Sequence, residues 1–319
     1  MFYSYDLSNF GIELRNIRQK NGFTQNYVKE HTGVNEDTLR RIENGAVIPK
    51  YETLEILSSL YKTDLLLLLQ THRRDKHFYD YYRWLDQIIA NNDIHLLTKL
   101  TNEYEKCIHD DNYPSSMINN AELKQFELLL LGIKLFNLND QNNQINHKKT
   151  IQTLTNALKL TIGDFSIFNF ENYSYNLLEI RILFLLGLLK EKSNDRHASN
   201  EILKYVLNYL VDNSEFDEDV QKIVIKCYCN ISYNFHRIDD DISALDYANV
   251  GIDFCVKNSN LNCLYLLYAR KGAAEFFLKE PNYMDALTKS IHLLQINKQF
   301  DLAELYAKTF KERYNATIN

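Results

Sequence analysis

Residues 24–45 read TQNYVKEHTGVNEDTLRRIENG, and the fold is decided there. Gly33 divides the stretch into two short amphipathic segments. The first, Thr24 to Thr32, opens on a hydroxyl residue able to accept from the free backbone N–H groups of a helix start. The second, Asn35 to Glu43, opens on another capping residue and stops at Asn44-Gly45, a pair suited to the left-handed conformation that ends helices. Two short helices about a tight glycine turn make a helix-turn-helix unit, whose second helix fits a DNA major groove.

On the N-terminal side, Phe10, Leu14 and Ile17 share one face of a segment over 10–21 that ends at Asn21-Gly22. On the C-terminal side, Pro49 precedes a segment over 51–61 with Leu54, Leu57 and Leu60 at helical spacing, and Thr63-Asp64 caps a fifth helix through Leu65–Leu69. Five helices in residues 1–70 make a domain of a size that folds alone. The charged stretch 71–77 reads as a linker, and 78–319 as a second, larger domain.

Prolines number three and glycines nine, and Gly22, Gly33 and Gly45 lie in the first fifty residues. Elsewhere apolar residues recur at about 3–4 positions with no sustained alternation, so the chain is all-α. Helices are expected near 77–91, 93–109, 115–137, 145–162, 174–193, 196–212, 217–238, 241–257, 260–279, 282–297 and 299–315. They fall in pairs, and a degenerate repeat is present: 230–248 superposes on 272–290 at an offset of 42, matching Phe235 to Phe277 and Ala244-Leu245 to Ala286-Leu287. Gly187 followed by Ala198 is a third, more degenerate copy. Small residues at such positions let paired helices approach closely. The pattern resembles tetratricopeptide (TPR) repeats with stretched periods, which makes the second domain a TPR-like α-solenoid.

The totals restrict function. A net charge of −6 with no basic tail excludes nonspecific coating of nucleic acid. Charges over residues 1–70 nearly balance, so DNA binding requires the positive ones to gather on one face. Five cysteines, an odd number without paired CxxC motifs, read as reduced side chains. Cys227 and Cys229, two apart on a helix, point to different sides and hold no metal. Leu65–Leu69 is far too short to span a membrane. The start MFYSYDLSNF lacks the basic and long apolar parts of a secretory signal. A cytoplasmic protein with no membrane partner is expected. No phosphate loop, HExxH or GxSxG motif is present, so no catalytic residue, metal or cofactor is expected and the chain does not read as an enzyme.

Residues 11–69 resemble the XRE/Cro-type DNA-binding domain. The carrying residues are Ile17-Arg18, Gly22-Phe23-Thr24-Gln25, Gly33-Val34, Arg41-Ile42-Glu43-Asn44-Gly45, Pro49 and Thr53-Leu54. The resemblance implies a double-stranded operator as partner and a phosphate contact from Gln25. It also implies a buried Arg18–Glu43 pair tying the first helix to the end of the recognition helix. Base contacts are expected from Asn35, Glu36, Asp37, Arg40 and Arg41, with Asn44 beside them and Lys50 on phosphate. Arg41 is the leading reader, because arginine can bond guanine O6 and N7 together. Asn35 either reads adenine or caps the helix. Glu36 and Asp37 depart from the neutral or basic residues usual there.

A domain of this type followed by a TPR-like array resembles the RNPP family of Gram-positive regulators, the Rgg, PlcR and PrgX type. That likeness lies in order, length and helix pairing. It implies a homodimer, a short signalling peptide bound on the concave side of the array, and a quorum-sensing role in transcription. The Leu65–Leu69 run and the aromatic cluster Phe78–Trp84 fit dimerisation. Amide, aromatic and charged residues on the first helices suit an extended peptide: Tyr175, Asn176 and Arg181; Lys226, Asn230, Tyr233 and Asn234; Tyr265 and Tyr268. Asn230 and Asn234, one turn apart on one face, are expected to clamp a backbone amide together. Other readings are a regulator of a mobile element that uses no peptide, and a sequestering adaptor without enzymatic activity.

Overall fold

A computed structural model describes residues 5–73, 76–91, 93–108, 120–138, 144–213 and 218–318. Sixteen α-helices account for nearly all of the ordered backbone, and no strand occurs among the described residues. The chain forms two compact units, Met1–Arg83 with Asn102–Asn119, and Trp84–Thr101 with Asn120–Asn319. Of the stretch read as linker, Thr71 ends a helix, His72 caps it, residues 74 and 75 lie outside the described residues, and the next helix starts at Lys76.

The first unit contains α1 (Leu7–Lys20), α2 (Gln25–Thr32), α3 (Glu36–Glu43), α4 (Tyr51–Tyr61) and α5 (Leu65–Thr71). Its caps follow from residue chemistry. Thr24 accepts from Tyr27 N–H, Asn35 from Asp37 N–H and Asp64 from Leu67 N–H. Gly33 ends α2 at φ 72°, a conformation that costs glycine nothing and other residues about 1–2 kcal/mol. Phe10, Leu14, Val28, Leu39, Ile42, Leu54, Leu57 and Leu65 make one core. The N-terminal segment is pinned to the end of α5: Tyr5 bridges Arg73, and Asp6 N–H donates to His72 O at 2.8 Å.

The remaining helices are α6 (Lys76–Asn91), α7 (Ile94–Ile108), α8 (Asn120–Leu138), α9 (Gln144–Lys159), α10 (Leu177–Lys192), α11 (Arg196–Asn213), α12 (Glu218–His236), α13 (Asp241–Lys257), α14 (Leu264–Phe277), α15 (Tyr283–Ile296) and α16 (Phe300–Tyr314). Consecutive helices from α8 onward pack against one another. The first helices of successive pairs are also neighbours: α8 meets α10, α10 meets α12, and α12 meets α14. The second helices α9, α11, α13 and α15 make no comparable contact with one another. A stack whose first helices touch while its second helices splay curves toward the first helices, as helical repeats do.

Small residues permit this packing. A Cβ at Gly272 of α14 would lie 2.6 Å from Leu287 Cδ2 of α15, and one at Gly187 of α10 would lie 2.9 Å from Leu203 Cδ2 of α11. Ala244 and Ala286, matched in the sequence repeat, are both buried. Ser232 Oγ of α12 donates to Ala244 O of α13 at 2.7 Å.

The helix expected from 174 begins instead at Leu177. Asn176 and Glu179 form a capping box, with Glu179 N–H donating to Asn176 Oδ1 at 3.0 Å and Asn176 N–H to Glu179 Oε2 at 2.7 Å. The preceding loop is held by tyrosines of α11. Tyr205 Oη donates to Tyr173 O at 3.0 Å, and Tyr209 Oη donates to Tyr175 O.

Within the second unit, the C-terminal half of α6 lies against first helices of the array. Arg181 of α10 grips Asp86 through Nε to Oδ1 at 2.7 Å and Nη2 to Oδ2 at 2.6 Å, both side chains being buried. Lys226 of α12 donates to Ile89 O at 3.1 Å. Removing one partner of a buried pair strands the other charge at a cost of about 3–5 kcal/mol. Asp86→Ala is expected to lower the stability of the array by that amount. Urea unfolding followed by circular dichroism measures it, and a midpoint equal to wild type would contradict the assignment.

Candidate functional site

The recognition helix α3 is fixed by one buried pair. Arg18 of α1 reaches Glu43 with Nε to Oε1 at 2.6 Å and Nη2 to Oε2 at 2.9 Å. Its remaining nitrogen, Nη1, donates to Phe23 O at 2.8 Å. The hydrogen bonds to Glu43 raise the guanidinium's pKa, holding it charged. Backbone proximity sets the same joint, since a Cβ at Gly11 would stand 2.6 Å from Glu43 O. Glu43 is therefore the hub between α1, α2 and α3.

Gln25 belongs to that hub. Its Nε2 donates to Glu43 Oε2 at 3.0 Å, so the amide expected on phosphate is engaged with the brace. Arg15, which sequence reasoning passed over, joins too: Nε lies 3.5 Å from Glu43 Oε2, and Nη2 donates to Asn44 Oδ1. Only the (i, i+3) spacing of Arg15 and Arg18 on one face of α1 hinted at it.

The outer face of α3 carries the other candidates. The Asn35 side chain caps the helix, which decides between its two roles in the free protein. Glu36 pairs with Lys29 at 3.4 Å, and Asp37 pairs with Arg40. The two acidic departures are thus offset by neighbouring cations, although exposed pairs of this kind contribute at most about 1 kcal/mol. Arg41 is exposed and pairs with no carboxylate among the described residues. Thr38 is exposed on the same helix, and Lys50 is exposed at the start of α4 with no capping bond. Leu39 and Ile42 face the core. Arg41 and Lys50 are the cations this surface leaves available to phosphate or base edges.

The positions expected to hold a peptide divide into two sets. Tyr175 is buried with its hydroxyl on Phe170 O at 2.5 Å, Asn176 is a cap, and Arg181 is consumed by Asp86. Asn234 is fully buried and donates to Ser199 Oγ and Asn200 Oδ1 of α11, both at 2.9 Å. The clamp expected from Asn230 and Asn234 therefore does not form, because the second amide serves helix packing. Tyr268 is half-buried, with Lys289 of α15 5.7 Å from its ring centre. Asn230, Tyr233 and Tyr265 are half-buried on α12 and α14. Asn230 donates to Lys226 O at 2.7 Å, and Tyr265 meets Tyr306 of α16 edge-on at 5.9 Å. Arg270, absent from the sequence expectations, lies 4.4 Å from the Tyr233 ring centre.

No group of three or more potential metal ligands occurs among the described residues. Cys227, Cys229 and Cys255 are buried free thiols, and burial pushes Cys255 up to about 12. Thiols held in that range are poor nucleophiles. The Cys107 and Phe78 side chains lie outside the described residues. No described helix is long and apolar enough to cross a membrane.

Residues 9–69 match the helix-turn-helix domain family. A search of curated proteins finds no match. Among solved structures, the chain is similar to Bacillus thuringiensis PlcR in complex with the peptide PapR7 and DNA, with 17% identity, a TM-score of 0.61, and 94% of this chain and 99% of that chain covered. It is similar to ComR from S. thermophilus in complex with DNA and its signalling peptide ComS, at 12% identity and TM-score 0.56 over 93% and 97% of the two chains. A cysteine-to-serine variant of Rgg2, the SHP pheromone receptor of Streptococcus dysgalactiae, gives 13% identity and 0.55 over 95% and 99%. The chain shares their fold. The likeness runs through both the helix-turn-helix unit and the helical repeats.

Glu43→Ala leaves Arg18 buried without its anion, so the first unit should lose about 3–5 kcal/mol. Thermal melting of the full chain checks this: an early transition should appear in the variant, and an unchanged melt would remove Glu43 from its role as hub.

Proposed function

We propose that the protein is a DNA-binding transcriptional regulator, dimeric and cytoplasmic, whose helical repeats bind a short signalling peptide and so alter DNA binding or oligomeric state. The observation that carries this reading is the continuity of the fold match across nearly the whole chain, joined to a sequence match over 9–69. PlcR and ComR were each crystallised with DNA and a peptide, and the same two classes of partner are proposed here.

In this reading α3 enters the major groove while the brace through Glu43 holds its angle. Arg41 reads bases and Lys50 contacts phosphate. With charges nearly balanced over residues 1–70, each copy binds modestly, and two copies on a two-fold operator supply the affinity. Peptide binding on the first-helix face shifts the population between states of unequal peptide affinity, the requirement for any such coupling.

Genomic footprinting should find an enriched, roughly two-fold symmetric site. A good arginine–guanine pair contributes about 1–3 kcal/mol of discrimination, so Arg41→Ala should abolish selectivity while leaving the fold intact. Footprints without any enriched site would defeat the DNA reading. Peptides encoded beside the gene should change the operator-binding isotherm in calorimetry, and an isotherm indifferent to all of them would count against peptide control.

A further inference from the structure

The cations on the first-helix face are treated unequally by the chain. Arg181 on α10 is neutralised by Asp86 in a buried two-bond pair. Lys226 on α12 donates to the carbonyl of Ile89. Arg270 on α14 is half-buried, its Nε is shielded from solvent, and it hydrogen-bonds nothing among the described residues. No described carboxylate forms an ion pair with it.

What surrounds Arg270 is aromatic. Tyr233 of α12 lies under its guanidinium. Tyr265 of α14 and Tyr306 of α16 feel its positive charge, which opposes in part the burial that raises both phenols. Those phenols stay protonated and remain hydrogen-bond donors. Contact with one ring leaves the shielded Nε–H without an acceptor, and a buried donor left unpaired is costly. A fixed fork of donors beside neutral phenols, with no anion of its own, is complementary to a planar carboxylate.

We propose that Arg270, with Tyr233 and Tyr306, forms a carboxylate-binding subsite on the first-helix face of α12, α14 and α16. The carboxylate is either the free C-terminus of a bound peptide or an acidic side chain within it. This rests on the peptide reading given above and adds to it the chemistry by which one end of the ligand is held. Asp86 already occupies Arg181, whereas Arg270 has no carboxylate partner among the described residues.

Two measurements on the full-length protein test the subsite. The first needs no ligand. If Arg270 served only to pack on Tyr233, Arg270→Gln would lower the melting temperature. A binding residue without a counter-ion predicts an unchanged or higher value, and a clear fall overturns the proposal. The second measurement presents two random heptapeptide pools, one with free C-terminal carboxyls and one amidated, and identifies retained peptides by mass spectrometry. Wild type should retain free-acid peptides over amidated ones if the terminus is bound, or peptides rich in Asp and Glu from both pools if a side chain is bound.

Hydrogen bonds to a charged group contribute about 1.5–3 kcal/mol, so the preference should be roughly tenfold or more. It should vanish in Arg270→Gln and survive in part in Arg270→Lys, which keeps the charge but not the fork. Retention with no carboxylate preference, or a preference that persists in Arg270→Gln, overturns the subsite while leaving peptide binding intact. Retention of no peptide from either pool defeats the peptide reading itself, and the subsite with it.

Discussion

The geometry of the first unit depends on one buried ion pair. Arg18 and Glu43 are twenty-five positions apart, and their two-bond contact is what α1, α2 and α3 share. An arginine buried by the turn at Phe23 must have its anion, and that anion must come from the last residue of α3. The recognition helix therefore cannot rotate or slide without exposing or stranding a charge. Gln25 and Arg15 converge on the same carboxylate, so the hub restrains the helix from two sides.

The same chemistry recurs in the second unit with a different purpose. Asp86 and Arg181 join helices far apart in sequence, and the pair seats the C-terminal half of α6 on the array. Burial of ion pairs adds little net stability over an apolar contact, but it penalises every arrangement that separates the partners. Both units thus use a buried carboxylate–guanidinium pair to select one arrangement of helices that apolar contacts alone would leave less sharply defined.

Much of this was legible in the sequence because the signals are local. Thr24, Gly33, Asn35 and Gly45 mark the helix ends of the DNA-binding unit within a residue, whereas apolar spacing places the later helices less sharply: α9 ends at Lys159 rather than 162, and α14 begins at Leu264 rather than 260. The start of α10 escapes that spacing although Asn176 and Glu179 carry the pattern of a capping box, because the apolar run continues back past its cap. Site assignments inside the array fare less evenly. Asn234 looks available on a helical wheel, yet Ser199 and Asn200 claim it, and Tyr175 is enclosed by its own loop. Partners thirty or more residues away leave no local mark. For the same reason neither the bond between Asp86 and Arg181 nor the packing of Arg270 on the Tyr233 ring is visible before the helices are in place.

The span of the α6 contacts also constrains how the protein is made. Asp86 precedes Arg181 by 95 residues, and Ile89 precedes Lys226 by 137. At about 5–20 residues per second of synthesis, the C-terminal half of α6 waits roughly 5–20 s for α10 and longer for α12. During that interval the DNA-binding unit has all of α1 to α5, while the C-terminal half of α6 still lacks α10 and α12. The nascent chain therefore passes through a stage with a finished DNA-binding unit and an unfinished array. Early in its life on the ribosome it is a helix-turn-helix unit beside half an array.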